Sequence, residues 1–126
     1  MKKAFFLFAL SISIISCSNK NSKEDTDLTD EQQQIELGKT GFDNYGCVAC
    51  HHTTNKIIGP AVKTIAETYK NNQASVYDFL KMKSAPIVDN NESMVTIMRN
   101  NLETTVTKIP EEDLKAITAY IESVSK

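Results

Sequence analysis

The chain has 126 residues, of which three are cysteines, and it carries a formal net charge of −2 at pH 7. Its length is enough for one small domain with its own hydrophobic core. A weakly acidic chain with no basic patch and no row of aromatic residues excludes nucleic acid as its main partner.

The first residues are typical of an exported protein. Two lysines precede an apolar run at 4–15, which is shorter than the roughly 20 residues of a membrane-spanning helix. The run ends just before Cys17 and resembles the lipobox of bacterial lipoproteins, in which cleavage precedes a cysteine that becomes lipidated. We therefore predict a lipoprotein signal peptide at 1–16 and a lipid on Cys17. An ordinary secretory signal with an incidental cysteine is the alternative.

The segment after Cys17 is polar up to its last residue, Leu28. Such a composition predicts a disordered tether, so that 17–28 would comprise the lipidated cysteine and a flexible linker with a reach of roughly 20 Å. Together with the signal peptide, this predicts a location in the bacterial cell envelope. We expect a lipid anchor in the membrane and a domain on the periplasmic side rather than on the cell surface.

The first helix is predicted to start at Thr29, because Gln32 three residues later completes a capping box. A glycine inside a helix costs about 1 kcal/mol relative to alanine, so Gly38 indicates a close crossing with another helix. Gly46 is expected to end this helix. Its inner face is predicted to carry residues at spacings of three and four, namely Ile35, Gly38, Phe42 and Tyr45.

Cys47, Cys50 and His51 form a CxxCH motif, which is typical of the covalent attachment of a c-type haem. Two cysteines three residues apart lie on one side of a helical turn, where they can form thioethers with the two vinyl groups on one haem edge. The next residue, His51, can then be the proximal ligand of the iron. The motif therefore predicts one covalently bound haem c.

Two other kinds of site also use a CxxC pair. A thioredoxin-type redox disulfide needs a βαβ context, and no stretch of this chain has the convincing alternation of a strand. A zinc site would have to use Cys47, Cys50, His51 and His52, but contiguous ligands give poor tetrahedral geometry and there is no second cysteine pair. Haem is therefore the predicted cofactor, and His52 is expected to be an exposed loop residue.

The rest of the chain is predicted to be helical. Pro60 is expected near the start of a helix after a polar loop, Ser75 as the N-cap of a short one, and Pro110 in the first turn of the last. The threonine-rich stretch at 100–108 is expected to be a loop. The apolar stripes of these helices are Val62, Ile65, Ala66 and Tyr69; Val76, Phe79 and Leu80; Met94, Ile97, Met98 and Leu102; and Leu114, Ile117, Tyr120, Ile121 and Val124.

From about residue 30 to residue 125 the chain resembles the class I c-type cytochromes, in the small monohaem bacterial branch. The resemblance implies an all-α cytochrome c fold, with about four to five short helices wrapped around one covalent haem and with the N- and C-terminal helices crossing. The domain would span 29–126. The positions that carry the resemblance are, in order, Gly38 and Phe42, the motif of Cys47, Cys50 and His51, Gly59 and Pro60, and Leu114, Ile117 and Tyr120.

The resemblance also implies the iron ligands. In this family the proline after the haem loop accepts a hydrogen bond from the proximal imidazole, so Pro60 would orient His51. The distal methionine usually lies in a proline-rich loop, and this chain has no Met-Pro pair. Met98 precedes an Asn-Leu pair as in some members, so it is the predicted distal ligand, with Met94 second and Met82 third.

An iron with two protein ligands has no open position, so the resemblance implies an electron carrier and not an enzyme. The expected partners are a membrane-bound donor and a membrane-bound acceptor, which would bind a monomeric carrier weakly and transiently. The alternative is a haem-based sensor or a peroxide-reactive haem protein, in which no methionine binds and the sixth position stays open. A fixed subunit of one oxidase or dehydrogenase complex would have the same chemistry with a permanent partner.

Overall fold

The structure is a computed structural model that describes residues 28–125. The described part of the chain contains no strand, which confirms the all-α prediction of four to five short helices. Two 3-10 turns, Cys47–Ala49 and Val106–Lys108, connect helices. The five α-helices are α1 (Asp30–Asn44), α2 (Val62–Asn71), α3 (Val76–Leu80), α4 (Glu92–Thr104) and α5 (Glu111–Ser123).

The predicted signal peptide at 1–16 and the lipidated Cys17 lie outside the described residues. So does the predicted tether, apart from Leu28. These three features stay predictions. Between residues 28 and 125, no helix combines the length and the apolar character that a membrane span requires.

Helix α1 begins at a complete capping box, as its sequence predicts. The Thr29 hydroxyl accepts a hydrogen bond from the Gln32 backbone N–H at 3.3 Å, and the Gln32 side-chain oxygen accepts one from the Thr29 N–H at 2.9 Å. Two of the four N–H groups that a helix start leaves unpaired are thereby satisfied. The helix buries Gly38 and Phe42 on one face.

Helices α1 and α5 cross with their backbones in contact. A Cβ on Gly38 would lie 1.9 Å from the carbonyl oxygen of Ala116, so no residue larger than glycine fits at this crossing. One turn further along, Phe42 and Tyr120 pack edge to face with ring centroids 5.4 Å apart. The close crossing that Gly38 predicts is therefore present, and its partner is α5.

Helix α5 is the central element of the domain, since α1, α2 and α3 all pack against it. Three acidic residues in its first turn lie at the positive end of the helix dipole, which favours a start at this point. The predicted N-cap of α3 is confirmed, because the Ser75 hydroxyl accepts a hydrogen bond from the Asp78 N–H at 3.0 Å. Val62 and Val76, on α2 and α3, have the largest fully buried side chains among the described residues.

The predicted loop at 100–108 is wrong over its first half. Helix α4 continues to Thr104, and a 3-10 turn follows. The Asn101 amide donates to the Ile97 carbonyl and the Thr104 hydroxyl donates to the Asn100 carbonyl, at 3.3 and 2.7 Å. These side chains bond to carbonyls one turn back in the same helix instead of competing with it. Leu102, which is buried, anchors the same turn in the core.

Candidate functional site

The CxxCH motif folds as one tight turn directly after α1. Gly46 has a φ of 77°, a left-handed conformation that glycine adopts readily, and this turns the chain out of the helix. The backbone N–H groups of Cys50 and His51 both donate to the Cys47 carbonyl, at 3.1 and 3.0 Å. The turn therefore holds the two cysteines and the histidine as one unit.

The two cysteines of the motif are free thiols and both are partly buried. Burial raises the pKa of the Cys47 thiol above its ordinary value, which outweighs the opposing effect of a backbone hydrogen bond. Both residues contribute to the wall of a cavity. Two unpaired thiols on one turn beside a cavity are the groups that two thioether bonds need.

The imidazole of His51 is held by the loop that follows it. Its Nδ1 atom lies 2.8 Å from the Pro60 carbonyl oxygen. A carbonyl can only accept a hydrogen bond, so Nδ1 must carry a proton, and in the neutral imidazole Nε2 then keeps a lone pair for a metal. This is the contact that the family resemblance implies for Pro60.

Gly59 makes room for the same ring. A Cβ at this position would lie 2.5 Å from His51 Cε1 and 2.8 Å from Nδ1. The Gly59 N–H donates to the Cys50 carbonyl at 2.8 Å, which folds the loop back onto the motif. From the sequence, Gly59 was recognised only as part of the Gly59-Pro60 pair, and its contact with the His51 ring was not predicted.

The cavity beside the motif contains about 1210 Å³ of empty space, counting its open mouth. Its surface is mostly apolar. Residues from every α-helix contribute to its wall, together with the CxxCH turn and the loops before α2 and α4.

The structure separates the three candidate methionines. Met94 and Met98 are both partly buried, lie one turn apart on α4 and contribute to the cavity wall. Met82 is exposed and does not belong to that wall; it borders a second hollow beside α3 and α4. The fold therefore brings Met94 and Met98 to the same cavity as His51 and leaves Met82 outside it.

The sequence model of the cytochrome c family matches residues 35–125, which is most of the chain and includes the motif, α2, α4 and α5. The chain belongs to the cytochrome c family. A search of curated protein sequences found no matching relative. Members of the family carry covalently bound haem c and serve haem-based electron transfer, typically as carriers rather than enzymes. This cytochrome c accordingly binds its haem through Cys47 and Cys50.

The residues around the cavity of this cytochrome c fit a haem. His51 bonds through Nδ1, so that Nε2 of the neutral ring can bind a metal, two thiols lie one turn apart, and the wall is mostly apolar. Large apolar side chains in the wall are about half exposed, namely Ile58, Ile87 and Ile97. A flat apolar macrocycle would cover these side chains, as burial of apolar surface favours.

Two polar residues near the site, His52 and Asp89, have different positions. His52 is exposed as predicted, and its Nδ1 accepts backbone hydrogen bonds from Thr54 and Asn55, so it stabilises the loop. Asp89, by contrast, is one of the residues that line the cavity. Asp89 could not be predicted from the sequence, because it lies in a short loop without any motif.

Proposed function

We propose that this protein is a lipid-anchored, monohaem class I cytochrome c that carries single electrons between respiratory-chain partners, with His51 and Met98 as the axial ligands of the iron. The observation that carries the proposal is the hydrogen bond between His51 Nδ1 and the Pro60 carbonyl. It fixes the imidazole tautomer and leaves Nε2 free beside a cavity that Met98 also borders.

On the proximal side, the chain determines how strongly His51 donates to the metal. The Pro60 carbonyl accepts the Nδ1 proton and raises the basicity of the ring. Gly59 leaves the ring in this orientation, and the CxxCH turn keeps it close to both thioethers. When bound, the haem supplies a one-electron couple between its ferrous and ferric states, and these contacts tune its potential.

On the distal side, packing favours Met98 over Met94. Met98 packs against the buried core cluster, whereas Met94 lies near the start of α4, in its first turn. A methionine that is held by the core loses little further freedom when its sulfur binds a metal. The spacing from Met98 to the Asn-Leu pair in the same helix also resembles the ligand arrangement of some class I members.

A carrier fits the cavity wall better than a sensor or a peroxide-reactive haem protein. Among the described residues of the wall, none is an arginine and none is a histidine other than His51. Those are the side chains that general acid–base work on a bound peroxide would call for. Two protein ligands also keep the metal coordination unchanged during electron transfer, which suits rapid exchange with a partner.

The ligand assignment is tested by spectra of the mature ferric protein, of Met98→Ala and of Met94→Ala. We expect a low-spin wild type with the red-end absorption band of a methionine sulfur on ferric iron. Met98→Ala should lose that band, and Met94→Ala, which removes the same side chain one turn away, should retain it. Loss of the band in Met94→Ala alone would reverse the assignment, and a high-spin wild type would contradict both.

The anchor and the location are tested through Cys17. The expected mature protein fractionates with membranes of the bacterial envelope and enters the detergent phase, whereas Cys17→Ser should appear in the soluble periplasmic fraction. A Cys17→Ser variant that still fractionates with membranes would contradict the lipid anchor. Copurification of the wild type from native membranes should give substoichiometric donor and acceptor proteins for a shuttle, and a stoichiometric complex for a fixed subunit.

A further inference from the structure

One ion pair joins two loops that both contribute residues to the wall of the cavity. Lys56 Nζ lies 3.1 Å from Asp89 Oδ2, between residues 33 apart in the chain. Lys56 belongs to the loop that runs from His51 to Pro60, and Asp89 belongs to the loop that leads into α4. The pair therefore connects the proximal side of the site with the helix that carries both candidate distal ligands.

Asp89 is held in this position by contacts to both of its carboxylate oxygens. Its side chain is 19% exposed, against 63% for Lys56, and Asp89 is one of the residues that line the cavity. The Asn91 backbone N–H donates to its Oδ1 at 2.9 Å. That hydrogen bond, and after it the pairing with Lys56, lowers the pKa of the Asp89 carboxyl below its ordinary value. The carboxylate thus has a separate partner for each oxygen.

The hydrogen bonds continue from Asp89 into α4. Asn91 is the N-cap of this helix, and its side-chain oxygen accepts from the N–H groups of Ser93 and Met94 at 3.1 and 3.2 Å. A short series of polar contacts therefore runs from Lys56 through Asp89 and Asn91 to the first turn of α4. Displacement of Asp89 would also displace the cap of the helix.

Helix α4 depends on such a contact more than the other helices do. Helices α1, α2 and α3 pack on α5, whereas the main helical contact of α4 is with the 3-10 turn that directly follows it. Leu102, near its C-terminal end, is its one buried residue. The N-terminal half of α4, which includes Met94 and leads to Met98, is thus held mainly by partly buried side chains.

We propose that the Lys56–Asp89 ion pair is a clasp that holds the start of α4 over the haem cavity, so that Lys56 and Asp89 are positioning residues for the distal methionine. The inference rests on the proposed His/Met ligation. A fully exposed ion pair contributes little, but a pair with one partly buried member and a second hydrogen bond is better fixed. Opening of the clasp would let α4 move away and expose the sixth position of the iron.

The test measures the rate at which cyanide binds to the ferric holoprotein. Cyanide can bind only after the distal ligand has dissociated, so this rate reports how firmly that ligand is held. Lys56→Gln removes one partner of the clasp. Asp89→Asn removes the charge but keeps an oxygen for the Asn91 N–H. Lys63→Gln is the matched control, since Lys63 forms an exposed ion pair with Glu67 within α2, at 3.9 Å. All three variants keep the haem attachment and both candidate methionines.

We expect each clasp variant to bind cyanide about fivefold faster than the wild type, or more, while Lys63→Gln matches the wild type. The double variant of Lys56 and Asp89 should be no faster than the singles, because each single already breaks the same pair. High salt should accelerate the wild type and leave the clasp variants almost unchanged. These results together would support the clasp.

Unchanged cyanide rates in Lys56→Gln and Asp89→Asn, with the sulfur band of the wild type intact, would overturn the clasp and leave the proposed ligation standing. A wild type that lacks the sulfur band and binds cyanide at once would overturn the ligation and the clasp together. Strictly additive effects of the two substitutions would also overturn the clasp, since they would show that the two charges act separately. The spectrum and the rate therefore separate the two failures.

Discussion

Gly59 lies against the imidazole of His51, so close that a Cβ would come within 2.5 Å of Cε1. The carbonyl oxygen of the next residue, Pro60, lies 2.8 Å from Nδ1 of the same ring. Gly59 is required because it leaves space for the ring, and Pro60 is required because its carbonyl accepts the hydrogen bond from Nδ1. Together they fix both the position and the tautomer of the proposed proximal ligand.

Substitution of Gly59 by alanine should therefore alter the iron site. The added methyl group must displace the ring, which weakens or breaks the bond to Pro60 and lowers the basicity of the imidazole. We expect a higher midpoint potential than in the wild type, because a weaker donor stabilises ferric iron less, and a loss of about 1–3 kcal/mol in the free energy of unfolding. A redox titration measures the first effect and urea unfolding the second. An unchanged potential would show that the ring is not held in this way.

The crossing of α1 and α5 gives a matched pair of glycine substitutions. Gly38→Ala should destabilise the domain by about 3 kcal/mol or more, because its Cβ would lie 1.9 Å from a backbone carbonyl oxygen. Gly41→Ala, in the same helix, meets the Ile117 side chain at 3.1 Å, and alanine is the better helix former by about 1 kcal/mol. We expect that variant to stay within about 1 kcal/mol of the wild type. Equal losses in urea unfolding would contradict a backbone contact at Gly38.

Tyr69 should make the domain sensitive to alkaline pH. Burial raises the pKa of this phenol from 10.0 to about 12, so the folded protein holds the proton more tightly than the unfolded chain does. The associated stability is fully present below pH 10 and is lost as the pH rises through about 12. The difference in free energy of unfolding between wild type and Tyr69→Phe should be constant below pH 10 and should shift in favour of the variant above it. A constant difference up to pH 12 would contradict the raised pKa.

The covalent attachment of the haem depends on Cys47 and Cys50. Acid acetone extracts a haem that is held only by coordination. A haem that is bound through thioethers stays attached to the protein. We expect the wild type to retain its haem in the precipitate and the double variant Cys47→Ser/Cys50→Ser to release it. The Cys17→Ser variant, which also loses one cysteine, should retain its haem. Extraction of haem from the wild type would refute covalent attachment.

The sequence predicted most of the frame of this domain from local signals. The capping box at Thr29 and the N-cap at Ser75 depend on residues three positions apart, and both are present. A glycine on an apolar helix face predicted the close crossing at Gly38, because only a steric requirement explains it there. The prediction of a loop at 100–108 was wrong over its first half, although this stretch is rich in threonine. A threonine side chain can donate to a carbonyl one turn back without disrupting the helix, as Thr104 does.

The candidate site was predictable to the extent that it is contiguous in the chain. Cys47, Cys50 and His51 form a motif, so their chemistry can be inferred from spacing alone. The pairing of Lys56 with Asp89 joins residues in different loops, and no local pattern encodes it. The choice between Met94 and Met98 is of the same kind, because both occupy one apolar stripe and the fold brings both to the cavity.

In the proposed carrier, the iron keeps two protein ligands in both oxidation states and only exchanges electrons. Cyclic voltammetry of the mature haem protein, with and without cyanide added just before the scan, tests this ligation. We predict one reversible one-electron wave whose midpoint is the same in both samples, because no ligand position is open. A wave that shifts as soon as cyanide is added, or an irreversible one, would contradict the carrier and support an open sixth position.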